Sequence, residues 1–402
     1  MTQHKIHRRH FIIGAAGTVG AGAAAGLVPD AGFRFVSPAA AQDAKPLPDY
    51  ASWKNPDAVT VFSEMTLEKN RGWGDASVVT SKEALYLRNN LAPPLEKAEM
   101  GDDWELSIEG VGNSGTMTVG ELKRLGVESV ASVLQCSGNG RGFYDHDASG
   151  SQWTVGAAGC VVWAGVPVRA VAEAMGGVAD GAKFITATGG EDLPEGVEPK
   201  DVIVERSVPL EAMENAILAF ELNGDPLPVA HGGPIRFVVP GYYGINNVKY
   251  VKRLAFTENE TDAKIMASGY RVRPVGEGGE PDQPTMWEMQ VKSWISHPIM
   301  DTESGKVQIY GVAFSGSNPV EKVEVTTDGG ETWQEASFTG PDLGPYAWRV
   351  FVLPVELESG EYTIASRATD SQGNVQPETS EPNHRGYDYR GWDKLAVDVT
   401  VT

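Results

Sequence analysis

The residues with the clearest capacity for chemistry surround a single cysteine, Cys136. An apolar run over residues 130–134 predicts a short buried strand that ends just before it. Ser, Gly and Asn follow, and then Arg141. Small residues let the backbone approach a bulky group, and a nearby guanidinium favours an ionised thiol. The pattern fits a thiolate metal ligand and, equally well, a buried structural cysteine before a glycine turn.

Four further clusters combine cationic, aromatic and amide side chains. They are residues 86–90 (Tyr-Leu-Arg-Asn-Asn), residues 231–236 with Lys249, the pair Tyr270 and Arg271, and residues 383–386 (Asn-His-Arg-Gly). Arginine and lysine are common partners of phosphate and other oxyanions. Taken singly, each cluster has a plain structural interpretation, such as a solvated charge, a turn histidine or a loop salt bridge. A shared function requires that the fold bring them together.

Two regions with different sequence patterns must position these residues. Over residues 42–265, strand and helix patterns mix without regular alternation, which predicts an α+β domain. Residues 266–290 are polar and rich in glycine and proline, as expected of a connector. Over residues 291–402, short alternating strands are separated by turns, including the Asp-Gly hairpin signal at residues 328–329. This last region therefore predicts an immunoglobulin-like β-sandwich.

The composition limits both the class of protein and its partners. With 402 residues, 41% of them hydrophobic, the chain can form two or more domains with sizeable cores. Its formal charge is −21, or −24 without residues 1–41, which hold four basic residues and one acidic residue. Such a surface repels nucleic acid and attracts a basic protein. The sequence contains no dinucleotide-binding, P-loop or c-type haem motif, so we expect no haem in this chain.

Residues 1–41 are expected to be an export signal. An Arg-Arg pair at residues 8–9 precedes a Gly/Ala-rich stretch, and three alanines at residues 39–41 fit a cleavage site. This pattern is typical of a twin-arginine signal peptide, which directs a folded protein to the periplasm. A transmembrane anchor is the alternative, but Pro and Asp at residues 29–30 interrupt the stretch. We therefore expect a periplasmic protein with no membrane insertion, and folded export suits an enzyme with an inserted cofactor.

Only one other cysteine, Cys160, is present, and its Gly, Ala, Val and Trp neighbours predict a buried structural residue. A disulfide between the two cysteines is possible in an exported protein.

Taken together and in this order, the clusters resemble the sulfite oxidase family of molybdenum enzymes over most of the chain. The segment 135–141 and the later histidine, arginine and lysine set carry the resemblance. It implies one molybdenum-molybdopterin per chain in the α+β domain, with Cys136 as the metal ligand, and a homodimer formed through the β-sandwich. The implied cofactor-binding residues are Tyr86, Arg88, Asn89, Asn90, Asp192, His231, Arg236 and Lys249.

The same resemblance implies an oxyanion pocket beside the metal. Its implied residues are Tyr270, Arg88, Arg141, Arg385 and Trp153. Three guanidiniums around one site are unfavourable unless a dianion such as sulfite compensates them. The implied reaction converts sulfite and water to sulfate, two electrons and two protons, with Tyr270 as a hydrogen-bond donor and proton shuttle.

Three positions depart from the animal members of the family. Asn90 stands where they have histidine, Gly140 where they have arginine, and Gly269 where they have an acid. Their proton-coupling details are therefore not transferred to this chain. We also expect no cytochrome b5-like domain. With the export signal, these features are most similar to bacterial periplasmic sulfite dehydrogenases, and they predict a periplasmic c-type cytochrome as the electron acceptor.

Three alternatives remain at this point. A sulfane dehydrogenase of the Sox sulfur-oxidation system belongs to the same family and acts on a protein-bound sulfur group. A periplasmic molybdenum sulfoxide reductase is related, but such proteins usually lack the C-terminal sandwich. An immunoglobulin-like binding module with an inert α+β partner would contain no molybdenum. Metal content and turnover of sulfite separate these possibilities.

Overall fold

The computed structural model describes residues 45–402, so the predicted signal peptide lies outside the described residues. We number the strands β1–β21 and the α-helices α1–α5 in chain order. The α-helices are short: α1 (Leu95–Ala98), α2 (Val119–Leu122), α3 (Val168–Ala174), α4 (Pro199–Val202) and α5 (Trp392–Leu395). The 3-10 helices cover Asp49–Ala51, Gly101–Asp103, Lys123–Leu125, Arg141–Phe143, Leu210–Glu214, Val229–His231 and Gly244–Asn246, and a π-helix covers Ile265–Gly269.

The first part of the described chain contains three sheets. A small antiparallel sheet joins β1 (Val59–Ser63), β2 (Thr66–Lys69) and β3 (Leu87–Arg88). A second sheet has the order β11-β10-β7-β6, with β12 also paired to β10. Its strands are β6 (Glu128–Gln135), β7 (Ala158–Pro167), β10 (Ile217–Leu222), β11 (Asp225–Pro226) and β12 (Arg236–Val238). The predicted strand at residues 130–134 thus forms part of β6.

The third sheet of this part has the order β5-β4-β13-β8-β9. Its strands are β4 (Glu105–Glu109), β5 (Gly115–Thr118), β8 (Phe184–Gly189), β9 (Glu205–Pro209) and β13 (Val251–Thr257). β13 runs parallel to β4 and antiparallel to β8. The largest apolar core packs this sheet against α2 and α3. Helices that pack on mixed sheets confirm the α+β prediction.

Local sequence explains where α2 begins. The Thr118 hydroxyl accepts the Glu121 N–H at 3.1 Å, and the Glu121 carboxylate accepts the Thr118 N–H at 2.9 Å. This reciprocal capping box satisfies two backbone donors that a helix start leaves unpaired. Val119 and Leu122 then turn towards the core.

The C-terminal part is a sandwich of two four-stranded sheets, ordered β14-β15-β19-β18 and β17-β16-β20-β21. The first contains β14 (Lys292–His297), β15 (Gly305–Phe314), β18 (Ser337–Thr339) and β19 (Arg349–Leu357). The second contains β16 (Val320–Thr326), β17 (Gln334–Glu335), β20 (Gly360–Asp370) and β21 (Val397–Val401). Apolar side chains from both sheets form one core between them. The predicted sandwich is therefore confirmed, and the Asp-Gly turn lies between paired β16 and β17.

A further core joins the two parts of the molecule. It packs Val133, Cys160 and Tyr243 from the first part against aromatic residues of the second, including Trp294 and Tyr387. Cys160 is fully buried there, and burial raises the pKa of its thiol to about 12. Both cysteines are free thiols, so the possible disulfide does not form. This shared core fixes the C-terminal loops against the Cys136 region.

No helix between residues 45 and 402 combines the length and the apolar character that crossing a bilayer requires.

Candidate active site

One open pocket of about 630 Å³ collects most of the residues that the sequence singled out. It is formed by the segments at the ends of β3 and β6 and by the loops before and after β12. Nine of the predicted site residues line it: Tyr86, Arg88, Asn89, Asn90, Cys136, His231, Arg236, Lys249 and Tyr270. A cleft in which several polar groups converge is typical of sites for small molecules and cofactors.

Cys136 follows directly after β6 in a loop that is held on both sides. Its N–H donates to the Ala157 carbonyl at 2.9 Å, and its own carbonyl accepts the Asn139 N–H at 2.9 Å. The buried Asn139 amide donates to the Gln135 side chain at 3.0 Å and accepts the Ala157 N–H at 3.0 Å. Cys136 is partly exposed and lines the pocket, unlike the buried Cys160. Its thiol is therefore placed on a rigid loop and accessible to a ligand.

Basic side chains crowd one end of the pocket, and their hydrogen bonds go to neutral groups. Arg236 donates to the carbonyls of Asn247 at 3.0 Å and His231 at 2.9 Å. Lys249 donates to the Ala230 carbonyl at 2.7 Å and to the Asn89 side chain. All of these acceptors are neutral. Two cations without a salt-bridge partner among the described residues, with Glu191 as the acid nearby, suit this end of the pocket to an anion.

The pKa values of this cluster reflect its burial. Burial, and secondarily the charge of Lys54, lowers the pKa of His231 well below its usual value. Burial and the neighbouring Arg236 lower the pKa of Lys249 in the same direction. Burial also lowers the pKa of Arg236 to about 10 and that of Lys54 to about 7. A bound phosphate would raise these pKa values again in part, because its negative charge stabilises the protonated side chains.

The acid that faces the pocket is Glu191, not the predicted Asp192. Glu191 is 7% exposed and lines the pocket, whereas Asp192 lies on the surface and pairs with Lys97. Burial raises the pKa of Glu191 to about 7. Both residues lie in the loop after β8, where the backbone directs one side chain into the pocket and the next to solvent.

Arg141 and Arg385 adjoin the pocket without lining it. The buried Arg141 guanidinium donates to the carbonyls of Arg385 and Ser151, both at 2.8 Å. It also lies 5.6 Å from the ring centre of Tyr387. Tyr387 in turn stacks flat on Tyr270, with ring centres 5.2 Å apart. Tyr387 therefore lies between these arginines and the pocket wall, a role that the sequence did not reveal.

Burial raises the pKa of Tyr387, with a smaller contribution from Tyr270, while Arg385 and Arg141 oppose the change. Both cations therefore act on the same ring. Arg88 is the third predicted oxyanion ligand, and it lines the pocket directly with its guanidinium against the Asn89 carbonyl. The three arginines come from distant segments: Arg88 lines the pocket, and Arg141 and Arg385 lie outside its lining.

Trp153, a predicted pocket residue, lies behind the pocket wall. It is 1% exposed and packs edge-on against Tyr86, with ring centres 6.2 Å apart, and against Phe62 at 5.3 Å. Tyr86 provides the wall itself, and burial raises its pKa well above the usual value. Trp153 thus supports a pocket residue from the core.

Tyr270 is positioned by the π-helix that ends at Gly269 and by a buried arginine. The Arg206 guanidinium lies 5.6 Å from the Tyr270 ring centre. It donates to the Asn246 side chain at 3.2 and 3.1 Å and to the Ile265 carbonyl at 2.8 Å. Single-turn π-helices often occur at functional sites. Arg206 was not predicted, and its strand sequence carries no local signal for this contact.

The residues present fit an anionic organic cofactor that carries a metal. Two buried polar atoms that belong to pocket-lining residues, Ser137 Oγ and Glu191 Oε2, have no hydrogen-bond partner. The described residues hold no group of three His, Cys, Asp or Glu side chains that could bind a metal ion. A metal beside Cys136 would therefore need most of its ligands from a cofactor. The basic end of the pocket is suited to the phosphate of that cofactor.

Comparison with known proteins agrees with this interpretation. Residues 92–265 match the oxidoreductase molybdopterin binding domain, and residues 283–400 match the Mo-co oxidoreductase dimerisation domain. Mitochondrial sulfite oxidase of Rattus norvegicus is 32% identical over 348 residues, which cover 80% of this chain and 62% of the relative. Sulfite oxidase of Gallus gallus is 30% identical over 335 residues, covering 79% and 72%.

A solved structure shares most of the architecture. The sulfane dehydrogenase SoxCD from Paracoccus pantotrophus superposes with a TM-score of 0.69 at 25% identity, covering 85% of this chain and 89% of that one. The fold and site thus define a molybdopterin-binding oxidoreductase. More specifically, the chain belongs to the sulfite oxidase family of molybdenum enzymes. It spans about 60% of the length of the mitochondrial relatives it matches.

Proposed function

We propose that this protein is a molybdenum-dependent sulfite dehydrogenase. In this proposal it works in the periplasm after twin-arginine export, forms a homodimer through the sandwich, and passes electrons to a c-type cytochrome. The observation that carries the proposal is the placement of the Cys136 thiol in one pocket with Arg88, alongside Arg141 and Arg385. A protein of net charge −21 has a cationic pocket of this kind where it must admit an anion.

The proposed cofactor site divides into two ends. Cys136 would be the protein ligand of the molybdenum. His231, Arg236 and Lys249 would hold the phosphate, with Asn89 and Asn90 along the wall and Glu191 in the place predicted for Asp192. When bound, the molybdenum cofactor supplies two-electron transfer coupled to transfer of an oxygen atom. The protein contributes position, charge and proton control.

The arginines would bind and orient the substrate. Arg88 lies in the pocket wall and is suited to contact sulfite oxygens directly. Arg141 and Arg385 add positive potential from behind Tyr387, which favours a dianion and the negative charge that develops as water oxygen is transferred to sulfur. Since the Arg141 hydrogen bonds go to backbone carbonyls, its charge is not neutralised by a carboxylate.

Tyr270 would handle protons at the pocket. It lines the cavity and stacks on Tyr387, so its hydroxyl is held on a fixed ring. In the proposed reaction it donates a hydrogen bond to the sulfite oxygen and passes on a proton released by water. Because Gly269 has no side chain, no acid is provided next to it in sequence.

Steady-state turnover of the molybdenum-loaded protein is the direct test. We expect saturable sulfite oxidation with cytochrome c or an artificial acceptor, one molybdenum per chain, and no comparable reduction of dimethyl sulfoxide. Oxygen consumption in the absence of a cytochrome should be slow. A loaded enzyme that turns over a sulfoxide but not sulfite would contradict the proposal, and so would an O₂ reaction as fast as the cytochrome reaction.

A sulfane dehydrogenase is the second candidate, because the SoxCD structure matches nearly the whole chain. Its substrate would be a sulfane sulfur attached to a protein thiol. Assays should compare free sulfite with a cysteine persulfide peptide under the same conditions. Preference for sulfite supports the first proposal, whereas turnover of the persulfide peptide alone supports the second.

A further inference from the structure

Lys54 is a buried cation at the phosphate end of the pocket that the proposed mechanism does not use. It comes from the segment before β1, outside the matched molybdopterin-binding region, and is 2% exposed. Its ammonium contacts three groups: the carbonyls of Lys82 at 2.8 Å and Leu85 at 2.6 Å, and His231 Nε2 at 3.1 Å. The contact with His231 joins residues 177 positions apart in sequence.

These contacts connect two walls of the pocket. The Lys82–Leu85 stretch leads directly into residues 86–90, which line one side, and His231 lies on the other. An ammonium group has three protons, and two carbonyls and one ring nitrogen use all of them. With Lys54 charged, His231 Nε2 is the acceptor of this contact, and the ring is then neutral with its proton on Nδ1. This assignment agrees with the lowered pKa of His231.

None of the three contacts of Lys54 is acidic, and the charge of Glu83, which makes no salt bridge with it, offsets only part of the effect of burial on its pKa. The charges of Lys54 and Lys249 both act to lower the pKa of His231, and the charge of Lys54 also opposes protonation of Lys249. A buried cation beside other cations destabilises the protein unless an anion compensates it. The phosphate of the cofactor would be that anion. Empty and loaded protein should therefore respond in opposite ways to loss of the Lys54 charge.

We propose that Lys54 is a positioning residue for the phosphate end of the cofactor, holding His231 and the segment before Tyr86 together while its charge favours the bound anion. The inference rests on membership of the molybdopterin-binding family and does not depend on sulfite as the substrate. It extends the cofactor site to the N-terminal arm.

The test uses the full-length protein in two forms, one loaded and one from a host that cannot make the cofactor. Lys54→Gln keeps a donor for the carbonyls but removes the charge, and Lys54→Met removes both. Lys82→Met is the matched control, because the Lys82 side chain pairs with Asp225 at the surface and only its carbonyl meets Lys54. Molybdenum content, pterin fluorescence and Tm are measured, with affinity from reloading the empty protein.

We expect Lys54→Gln to weaken cofactor binding by about 10-fold or more, within the range for residues that orient a ligand set. Its Tm should fall in the loaded form but stay level or rise in the empty form. Lys54→Met also leaves the two carbonyls without their donor, so it should lower Tm in both forms, and more in the loaded form. Lys82→Met should behave as the unaltered protein. Equal losses of Tm in both forms with unchanged cofactor content would overturn the proposal, and so would a Lys54→Gln chain that fails to fold when empty. None of these readouts depends on turnover. Failure of the Lys54 proposal can therefore be distinguished from failure of the sulfite assay.

Discussion

At the scale of single residues, the environment decides what each of the two cysteines can do. Cys136 is partly exposed on a fixed loop at the pocket, and Cys160 is sealed in the core that joins the two parts of the molecule. Burial makes the Cys160 thiol hard to ionise, because it raises its pKa to about 12. A thiolate ligand must be ionised and accessible, so only Cys136 can serve.

Cys136→Ser should abolish sulfite turnover while the protein still folds, because a hydroxyl oxygen is a poor replacement for a soft thiolate. Steady-state turnover and circular dichroism of both forms check this. Cys160→Ala is the control: it should keep turnover but lower Tm, since it removes a buried sulfur from a packed core. Turnover of Cys136→Ser at the level of the unaltered enzyme would show that Cys136 is not the ligand.

Arg141→Gln should raise the KM for sulfite and lower kcat/KM by ~100-fold, which corresponds to about 3 kcal/mol for a lost charge-assisted interaction. The neutral amide would remove positive potential behind Tyr387 and at least one of the two carbonyl contacts. Sulfite titrations of the loaded variant measure both constants. Arg169→Gln, at an exposed pair with Glu128, should leave them unchanged. An unaltered KM in Arg141→Gln would remove Arg141 from substrate binding.

At the scale of elements, the loop between Cys136 and Arg141 depends on close packing from the sandwich part. The Asp388 N–H donates to the Ser137 carbonyl at 2.9 Å, and the Lys292 ammonium donates to the Asn139 carbonyl at 3.2 Å. Gly140 has φ of 97°, and a Cβ there would lie 2.6 Å from Tyr389 Cβ. The departure from arginine at this position therefore has a steric cause in this chain.

Gly140→Ala should lower both Tm and kcat/KM, because it adds a backbone strain of about 1–2 kcal/mol and a clash that displaces Arg141. Gly177→Ala separates the two effects: its φ is 84°, but a Cβ there meets nothing within 4 Å. It should lose a smaller amount of Tm and no activity. Differential scanning calorimetry and sulfite kinetics on the three proteins make the comparison. Equal losses in both variants would mean that Tyr389 does not restrict the loop.

At the scale of the whole molecule, a cationic pocket is set in an acidic protein. The net charge of −21 becomes −24 if residues 1–41 are removed. In the proposed function, this separation of charge attracts a basic redox partner to the surface while the pocket admits an anion. Redox encounters usually bury little area, so long-range charge contributes strongly to their rates.

Reduction of a basic cytochrome c at saturating sulfite should slow by at least ~10-fold between low ionic strength and about 0.2 M salt, because screening removes electrostatic steering. Stopped-flow absorbance at several salt concentrations measures the second-order rate constant. An uncharged quinone acceptor is the control and should show little change. A cytochrome rate that is independent of salt would contradict steering by the surface charge.

Much of the molecule follows from short-range patterns in the sequence. Period-two alternation with an Asp-Gly turn specified the sandwich, and the apolar run before Cys136 specified a buried strand that ends at the ligand loop. Hydrophobic periodicity and turn chemistry act between neighbours, so they can be read locally. The resemblance carried by residues 135–141 and the later basic set then indicated the cofactor and the family.

Only the tertiary structure decided which side chains reach the pocket. It selected Glu191 over Asp192, put Trp153 behind Tyr86, and brought Lys54 to His231 across 177 positions. A difference of one residue in the loop after β8 exchanges the pocket for solvent, and the burial of a cation depends on every segment packed around it. Contacts of this kind arise from the packing of distant segments, and no local pattern of residues encodes them.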